Sequence, residues 1–150
     1  MFKKALVPLD LSELAECVLA YVKKLAKDRT LSEVILLNVA EVDPAWDQMG
    51  AGFDVNTFRN AIKNKSERYL ADVHYQLSSA GINVKTESIE GTAPAQVITD
   101  YAQKNGVDVI IISSHGYTGI KKLVFGSVAM GVLHLSHAPV LLLRPESCRI

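Results

Sequence analysis

The chain is short of most features that would name a function at once. No apolar run approaches the roughly 18 residues that a membrane-crossing helix needs. Neither sign of charge is in excess: Lys and Arg number 16, Asp and Glu 16, for a formal net charge of zero. That leaves no electrostatic footprint for nucleic acid or an anionic membrane, and a neutral surface eases self-association. Cysteine is scarce. Cys17 and Cys148 are the two in the chain, in neither metal-like nor redox-like spacing, which predicts a reducing compartment and no structural disulfide. The opening MFKKALVPLD has no long apolar h-region, which predicts no signal peptide. With no span and no leader, the expected location is cytoplasmic.

Familiar catalytic signatures are missing too. No Gly-Lys-Ser/Thr opens a helix, so the phosphate loop of the Walker type is absent. No G-x-G-x-x-G follows a strand, which disfavours a classical dinucleotide site. There is neither a G-x-S-x-G elbow nor an H-E-x-x-H pair. His134 and His137 are three apart, but no carboxylate or thiol converges on them in the sequence, so they do not predict a metal site. No catalytic residue is assigned, and whether the chain is an enzyme stays open.

What is present is a regular alternation. At 150 residues the chain is the size of one domain with a real core, expected over 1–150 with 144–150 as a tail. Lys4–Pro8 reads as a first strand. Ser12–Lys27 places Leu14, Cys17, Val18, Tyr21, Val22 and Leu25 at helical spacing, with Asp10 or Ser12 as the cap. Glu33–Val39 is an almost unbroken apolar strand and belongs inside a sheet. Ala40–Val55 reads as a loop, in which Trp46 and Met49 either cover a ligand or close a small apolar cluster. Asn56–Ala80 is a long helix whose inward residues include Phe58, Ile62, Tyr69, Val73 and Leu77, with Gly81 closing it. Asn83–Glu90 alternates like an edge strand. A helix from Pro94 to about Asn105, a strand Val109–Ser113, a helix Ser127–Ser136 and a strand Val140–Leu143 complete the chain. Strand–helix alternation predicts an α/β fold: a single doubly wound domain, a five-stranded parallel sheet with helices on both faces, in flavodoxin-like or closely related order. Ligands of such sheets sit beyond the strand C-termini at the switch point. Asp10, the end of the strand at Val39, and Ser113–Gly116 all lie at strand ends. They converge if the first and fourth strands are neighbours.

The positive signal for chemistry is Gly116, Gly119, Gly126 and Ser127. Phosphates need close backbone approach and inward donors, and a helix start supplies unpaired N–H groups and a positive dipole. The same residues are also compatible with plain turns and a serine N-cap. Asp10 suits ribose hydroxyls or a cation beside phosphates, and equally a helix cap. His115 lies in the loop, as do Lys121 and Lys122, which suit phosphate or plain solvent.

Together these stretches resemble the universal stress protein family. The likeness covers essentially the whole chain: KKALVPLDLSELAE resembles the family's first strand and Pro-x-Asp-x-Ser turn, GTAPAQVI its Gly-x-Pro turn, and SSHGYTGIKKLVFGSVAMGVLHLSHAPVLLLR its C-terminal signature. The family's ATP-binding branch carries G-x2-G-x9-G-S/T. Its second and third glycines fall here on Gly116 and Gly126 and its final residue on Ser127, while the first glycine position is Ser113. The resemblance implies an adenine nucleotide alpha hydrolase-like fold and a stress-response sensor or regulator that binds ATP with Mg2+ or Mn2+. It implies Pro8, Leu9 and Asp10 beside adenine and ribose, and the Val39 backbone at the adenine edge. Ser113, His115, Gly116, Gly119, Gly126, Ser127 and Val128 lie around the phosphates, with Asp10 near the metal only through them. It also implies a homodimer through Val140, Leu141, Leu142 and Leu143, where an unpartnered edge would be a liability. The alternatives are a nucleotide-free dimerising protein, favoured by Ser113, and a slow ATP hydrolase or nucleotidyl transferase at the same site.

Overall fold

The computed structural model describes residues 2–52, 54–114 and 125–144, with Leu14 by its backbone only. Its strands are β1 (Phe2–Pro8), β2 (Leu31–Glu41), β3 (Val84–Gly91), β4 (Val109–Ser113) and β5 (Val140–Leu143). Between them run α1 (Glu13–Glu16), α2 (Val18–Lys27), α3 (Val55–Ser78), α4 (Pro94–Lys104) and α5 (Ser127–Leu135). All pairings are parallel, in the order β3-β2-β1-β4-β5. The chain starts in the middle, grows outward through β2 and β3, then returns to β4 and grows the other way. The first and fourth strands are therefore neighbours. The reversal between them is the switch point, where two crossovers leave in opposite directions and open a crevice.

Both faces of the sheet are covered, which is why the strands read as continuous apolar runs rather than alternating ones. Ala5, Val7, Val34, Leu36, Val109 and Ile111 pack toward α2 and α3. Leu6, Ile35, Leu37, Ile110 and Ile112 pack toward α4 and α5. Register follows from this period of two: Leu6 lies between Ile35 and Ile110, and a slip by one residue would exchange the two faces. Leu6, Leu36, Leu37, Ile110 and Ile111 are fully buried. Truncating any of them to alanine costs about 2–5 kcal/mol.

Three expectations change. The helix expected over Ser12–Lys27 is two pieces, α1 and α2, joined at Cys17. Cys17 keeps helical dihedrals (φ −55°, ψ −26°), so hydrogen bonding lapses there while the backbone stays helical. Cys17 is disulfide-bonded, against the expectation of no structural disulfide. Its partner lies outside the described residues. Sequence spacing is a poor guide to bridging, because the cost of closing a loop grows only slowly with its length. The reducing compartment inferred from an absent bridge loses that support. Finally, Phe58 is not inward: it is 42% exposed, because α3 begins beyond the sheet and its buried residues, Ser66, Leu70, Val73 and Leu77, come later in the helix.

Ala40–Val55 is more ordered than a plain loop. β2 continues to Glu41, and Pro44–Gln48 forms a short 3-10 turn with the Asp43 carboxylate accepting from Ala45 N. Trp46 meets Phe58 edge-on, ring centroids 4.7 Å apart. This is the small apolar cluster, and neither Trp46 nor Met49 lines the cavity described next.

Candidate functional site

At the switch point the strand ends enclose a cavity of about 510 Å³, within the usual size of small-molecule sites. Pro8, Leu9 and Asp10 contribute from the end of β1, Asn38, Val39 and Glu41 from β2, and Ile112, Ser113 and Ser114 from β4. Pro94 and Ile98 of α4 and Gly126, Ser127, Val128 and Ala129 at the start of α5 form the opposite wall. Of the residues singled out in the sequence, Pro8, Leu9, Asp10, Val39, Ser113, Gly126, Ser127 and Val128 meet here. His115, Gly116, Gly119, Lys121 and Lys122 lie outside the described residues.

The β1 side is tied down closely. Leu9 N donates to Leu37 O at 2.8 Å, and Leu9 O accepts from Asn38 Nδ2 at 2.7 Å. Beyond it, the Asp10 carboxylate accepts from Ser12 N and from the Ser12 hydroxyl. Ser12 Oγ in turn accepts from Ala15 N at 3.1 Å. Ser12 is thus the cap of α1, and Asp10 shapes the turn before it. Leu11 between them sits at φ 67°, a left-handed conformation that costs a non-glycine residue about 1–2 kcal/mol. Asp10 also lines the cavity.

The β2 side presents backbone. Pairing with β1 ends at Pro8 opposite Leu37, whereas pairing with β3 continues to Glu41 opposite Gly91. β2 therefore overhangs β1. Val34 N and Val42 N donate to the β3 side, and Leu37 O accepts from Leu9 on the β1 side. In a parallel strand, alternate residues turn both N–H and C=O to the same neighbour. Val39, two residues after Leu37, turns both groups to the side that β1 has vacated.

The α5 side presents donors. Gly126 is the N-cap (φ −59°, ψ 147°), with no side-chain cap bond. Ser127 is the first helical residue, so its hydroxyl does not serve as the cap that the plain-turn alternative required. The first intrahelical bond runs from Met130 N to Gly126 O. The N–H groups of Ser127, Val128 and Ala129 thus precede the helix's own acceptors, at the positive end of its dipole. Gly126 N donates to Ser114 O at 2.7 Å and Ser114 N to Leu143 O at 2.8 Å, which fixes this helix start to β4 and β5. Such a helix start suits an anion.

Ser113, at the first glycine position of the ATP signature, is buried, with its Oγ 3.8 Å from Cys17 Sγ. It shares its strand face with Val109 and Ile111, so its side chain is turned toward the α1–α2 junction. Behind the β1 turn, Tyr69 of α3 is half-buried. Burial first, then the Glu16 and Asp10 carboxylates, push its phenol above its ordinary value. It stays protonated and is a donor rather than a base. Among the described residues no group of three or more His, Cys, Asp or Glu side chains converges. Asp10 and Glu41 are the carboxylates that line the cavity.

Sequence reasoning missed Asn38, Glu41, Pro94 and Ile98 as parts of the site. Asn38 carried a legible signal, as the one amide in the apolar run EVILLNV. A polar side chain buried in a central strand needs a hydrogen-bond partner, and that partner is the Leu9 carbonyl.

Comparison with known proteins bears on this geometry. The sequence profile of the Universal stress protein family matches residues 1–144. Universal stress protein MJ0577 of Methanocaldococcus jannaschii is 34% identical, the match covering 98% of each chain. Its solved structure superposes with a TM-score of 0.78 at 35% identity, over 96% of each chain. A universal stress protein family protein of Arabidopsis thaliana, solved with AMP bound, shares the fold at a TM-score of 0.68 and 16% identity, over 95% of this chain and 91% of that one. A universal stress protein solved in complex with cAMP shares it at 0.65 and 16%, over 96% and 98%.

Proposed function

We propose, from the premise that this chain belongs to the universal stress protein family, that it is an adenine-nucleotide-binding regulatory module acting as a homodimer. The observation that carries the reading is the β2 overhang. A backbone N–H and C=O side by side at Val39 match the acceptor N1 and donor N6 of adenine, and mismatch guanine, whose edge has the opposite polarity. The AMP and cAMP complexes of the two fold neighbours share that base. The ribose falls toward Leu9 and Asp10, where a carboxylate can accept from hydroxyls. Phosphates fall toward Gly126, Ser127 and Val128, where N–H groups and a hydroxyl donate. The residues fit ATP, which supplies the negative charge that the α5 start is built to receive; Mg2+ or Mn2+ would be held mainly through its phosphates. Binding would act by biasing conformation, its leverage being the difference in affinity between states.

The replacement of the signature's first glycine by Ser113 is compatible with this reading, because the side chain turns toward Cys17 rather than across the cavity mouth. Ser113→Gly is expected to change ATP affinity by less than about threefold, under 1 kcal/mol. Homodimer formation is supported by the β5 edge. Leu133 and Leu135 at the end of α5 are 41% and 43% exposed, and Leu141 on β5 is 36% exposed. An open apolar edge of this kind is best resolved by a partner.

The test is thermal unfolding of ligand-stripped protein with Mg2+ and ATP, ADP, AMP or GTP. Adenine nucleotides at about a hundred times Kd should add about 2.7 kcal/mol, and GTP far less. No shift with any adenine nucleotide refutes the reading. Native mass spectrometry of the same samples reads nucleotide and subunit number together.

A further inference from the structure

We infer that Asn38 is a positioning residue of this site, whose buried amide locks the Leu9 backbone and thereby sets the wall against which adenosine rests. The inference deepens the adenine-nucleotide reading and rests on it. Asn38 is 5% exposed and Ser66, beneath it on α3, is 1% exposed. Asn38 Nδ2 donates to Leu9 O at 2.7 Å, and Asn38 Oδ1 accepts from Ser66 Oγ at 2.7 Å. Ser66 Oγ is also 2.7 Å from Ser88 Oγ on β3. The direction of this chain is forced. Leu9 O accepts only, so the amide nitrogen must face it and the amide oxygen must face Ser66. The Ser66 proton is then committed to Asn38, and Ser88 donates to Ser66. Three elements of the fold converge on one carbonyl.

That carbonyl is where the β1 ladder stops. Pro8 opposite Leu37 is the last pair, and three residues later Leu11 adopts its left-handed turn. A turn of unfavourable conformation persists only where its surroundings over-determine it. Leu9, with its N–H on Leu37 and its C=O on Asn38, is the anchor. A leucine at position 38 would continue the apolar run and pack without partners. The amide thus serves position rather than burial, as a fully satisfied polar network does.

The experiment uses full-length Asn38→Leu, Ser66→Ala and Ser66→Thr. Hydrogen exchange on ligand-free protein reads the Leu9 and Ser12 amides, and calorimetry reads adenosine, ATP and inorganic tripolyphosphate. For Asn38→Leu, adenosine and ATP should weaken about tenfold or more. Tripolyphosphate, which meets only the α5 start, should stay within about twofold. The Leu9 and Ser12 amides should exchange faster. Ser66→Ala should move the same readouts in the same direction, and Ser66→Thr, which keeps the hydroxyl, should restore them. If Asn38→Leu does not fold, the Ser66 pair decides alone. Unchanged exchange together with an unchanged ratio of adenosine to tripolyphosphate affinity overturns the inference. If wild type binds neither adenosine nor ATP, the nucleotide reading falls. The role of Asn38 as an adenosine-positioning residue falls with it, and the exchange data then say only whether the lock exists.

Discussion

Gly131 offers a sharp test of how α4 and α5 are packed, because two opposed effects have known sizes. It lies mid-way along α5, and a Cβ built there would fall 2.6 Å from the Ala95 Cβ of α4. Carbon atoms in contact prefer about 3.5–4.0 Å, so the helices would have to part by about 1 Å. Neither atom is the end of a flexible chain, so relief must come from backbone movement. Helix propensity favours alanine over glycine by about 1 kcal/mol, whereas overpacking costs about 1–3 kcal/mol. Gly131→Ala should therefore destabilise by up to about 2 kcal/mol, lowering Tm by about 2–4 °C per kcal/mol. The assay is urea unfolding, with the midpoint falling and the slope unchanged. The decisive result is a change of sign: Ala95→Gly should destabilise wild type, yet stabilise the Gly131→Ala protein by removing the clash. If Gly131→Ala is more stable than wild type, or Ala95→Gly costs the same in both backgrounds, α4 and α5 do not approach each other this closely. Because Pro94, Ile98, Val128 and Ala129 on these two helices line the cavity, nucleotide affinity should fall in Gly131→Ala and recover in the double variant.

Three further outcomes are expected. Hydrogen bonds from the Thr57 hydroxyl, then from Thr57 N–H, hold the exposed Asp54 cap of α3 below the ordinary carboxylate value of 3.8. A depressed folded value means that the charge stabilises above that range and that this contribution is lost as pH falls through it. The Tm gap between wild type and Asp54→Ala should accordingly narrow below about pH 4. Since Cys17 is disulfide-bonded and the chain has two cysteines, unfolded protein without reductant should titrate no thiol; two thiols per chain refute the bridge. Leu141→Lys should convert the proposed dimer to monomer by light scattering at little cost in stability, the residue being partly exposed in the single chain; a dimer that survives the charge places the seam elsewhere.

How far the sequence was legible depended on whether a feature is local. Strands such as Val109–Ser113 and Val140–Leu143 were readable to the residue, because β-branched runs between turn residues leave few options. The convergence of Asp10, Val39 and Ser113 was readable only conditionally, since it needed β1 and β4 to be neighbours. Helix ends were readable to within a residue or two, as the expected Asn56–Ala80 against α3 at Val55–Ser78 shows. The misses were long-range. Helical periodicity placed Phe58 inward but could not tell that α3 starts before the sheet does. Spacing could not tell that Cys17 has a bonded partner. Asn38 was visible as a polar residue in an apolar strand, yet its partners, Leu9 and Ser66, are 29 and 28 residues away.

The site finally depends on a mismatch in strand length. β1 has 7 residues and β2 has 11, so four residues of β2, Asn38–Glu41, run on beyond the last β1 pair. Had β1 continued, its backbone would have consumed the N–H and C=O of Val39 and filled the crevice. Pro8 opposite Leu37 is the last pair, and Leu9 beyond it still turns its N–H and C=O toward β2, onto Leu37 and the Asn38 amide. The Leu9 bonds to Leu37 and Asn38 then hold the chain while the left-handed Leu11 turns it away from the sheet. The Asn38 amide and the left-handed Leu11 act together on one strand end, and the N–H and C=O of Val39 turn to the side that β1 has vacated. In this reading, base recognition is a property of register, and it requires no side chain at Val39 of any particular kind.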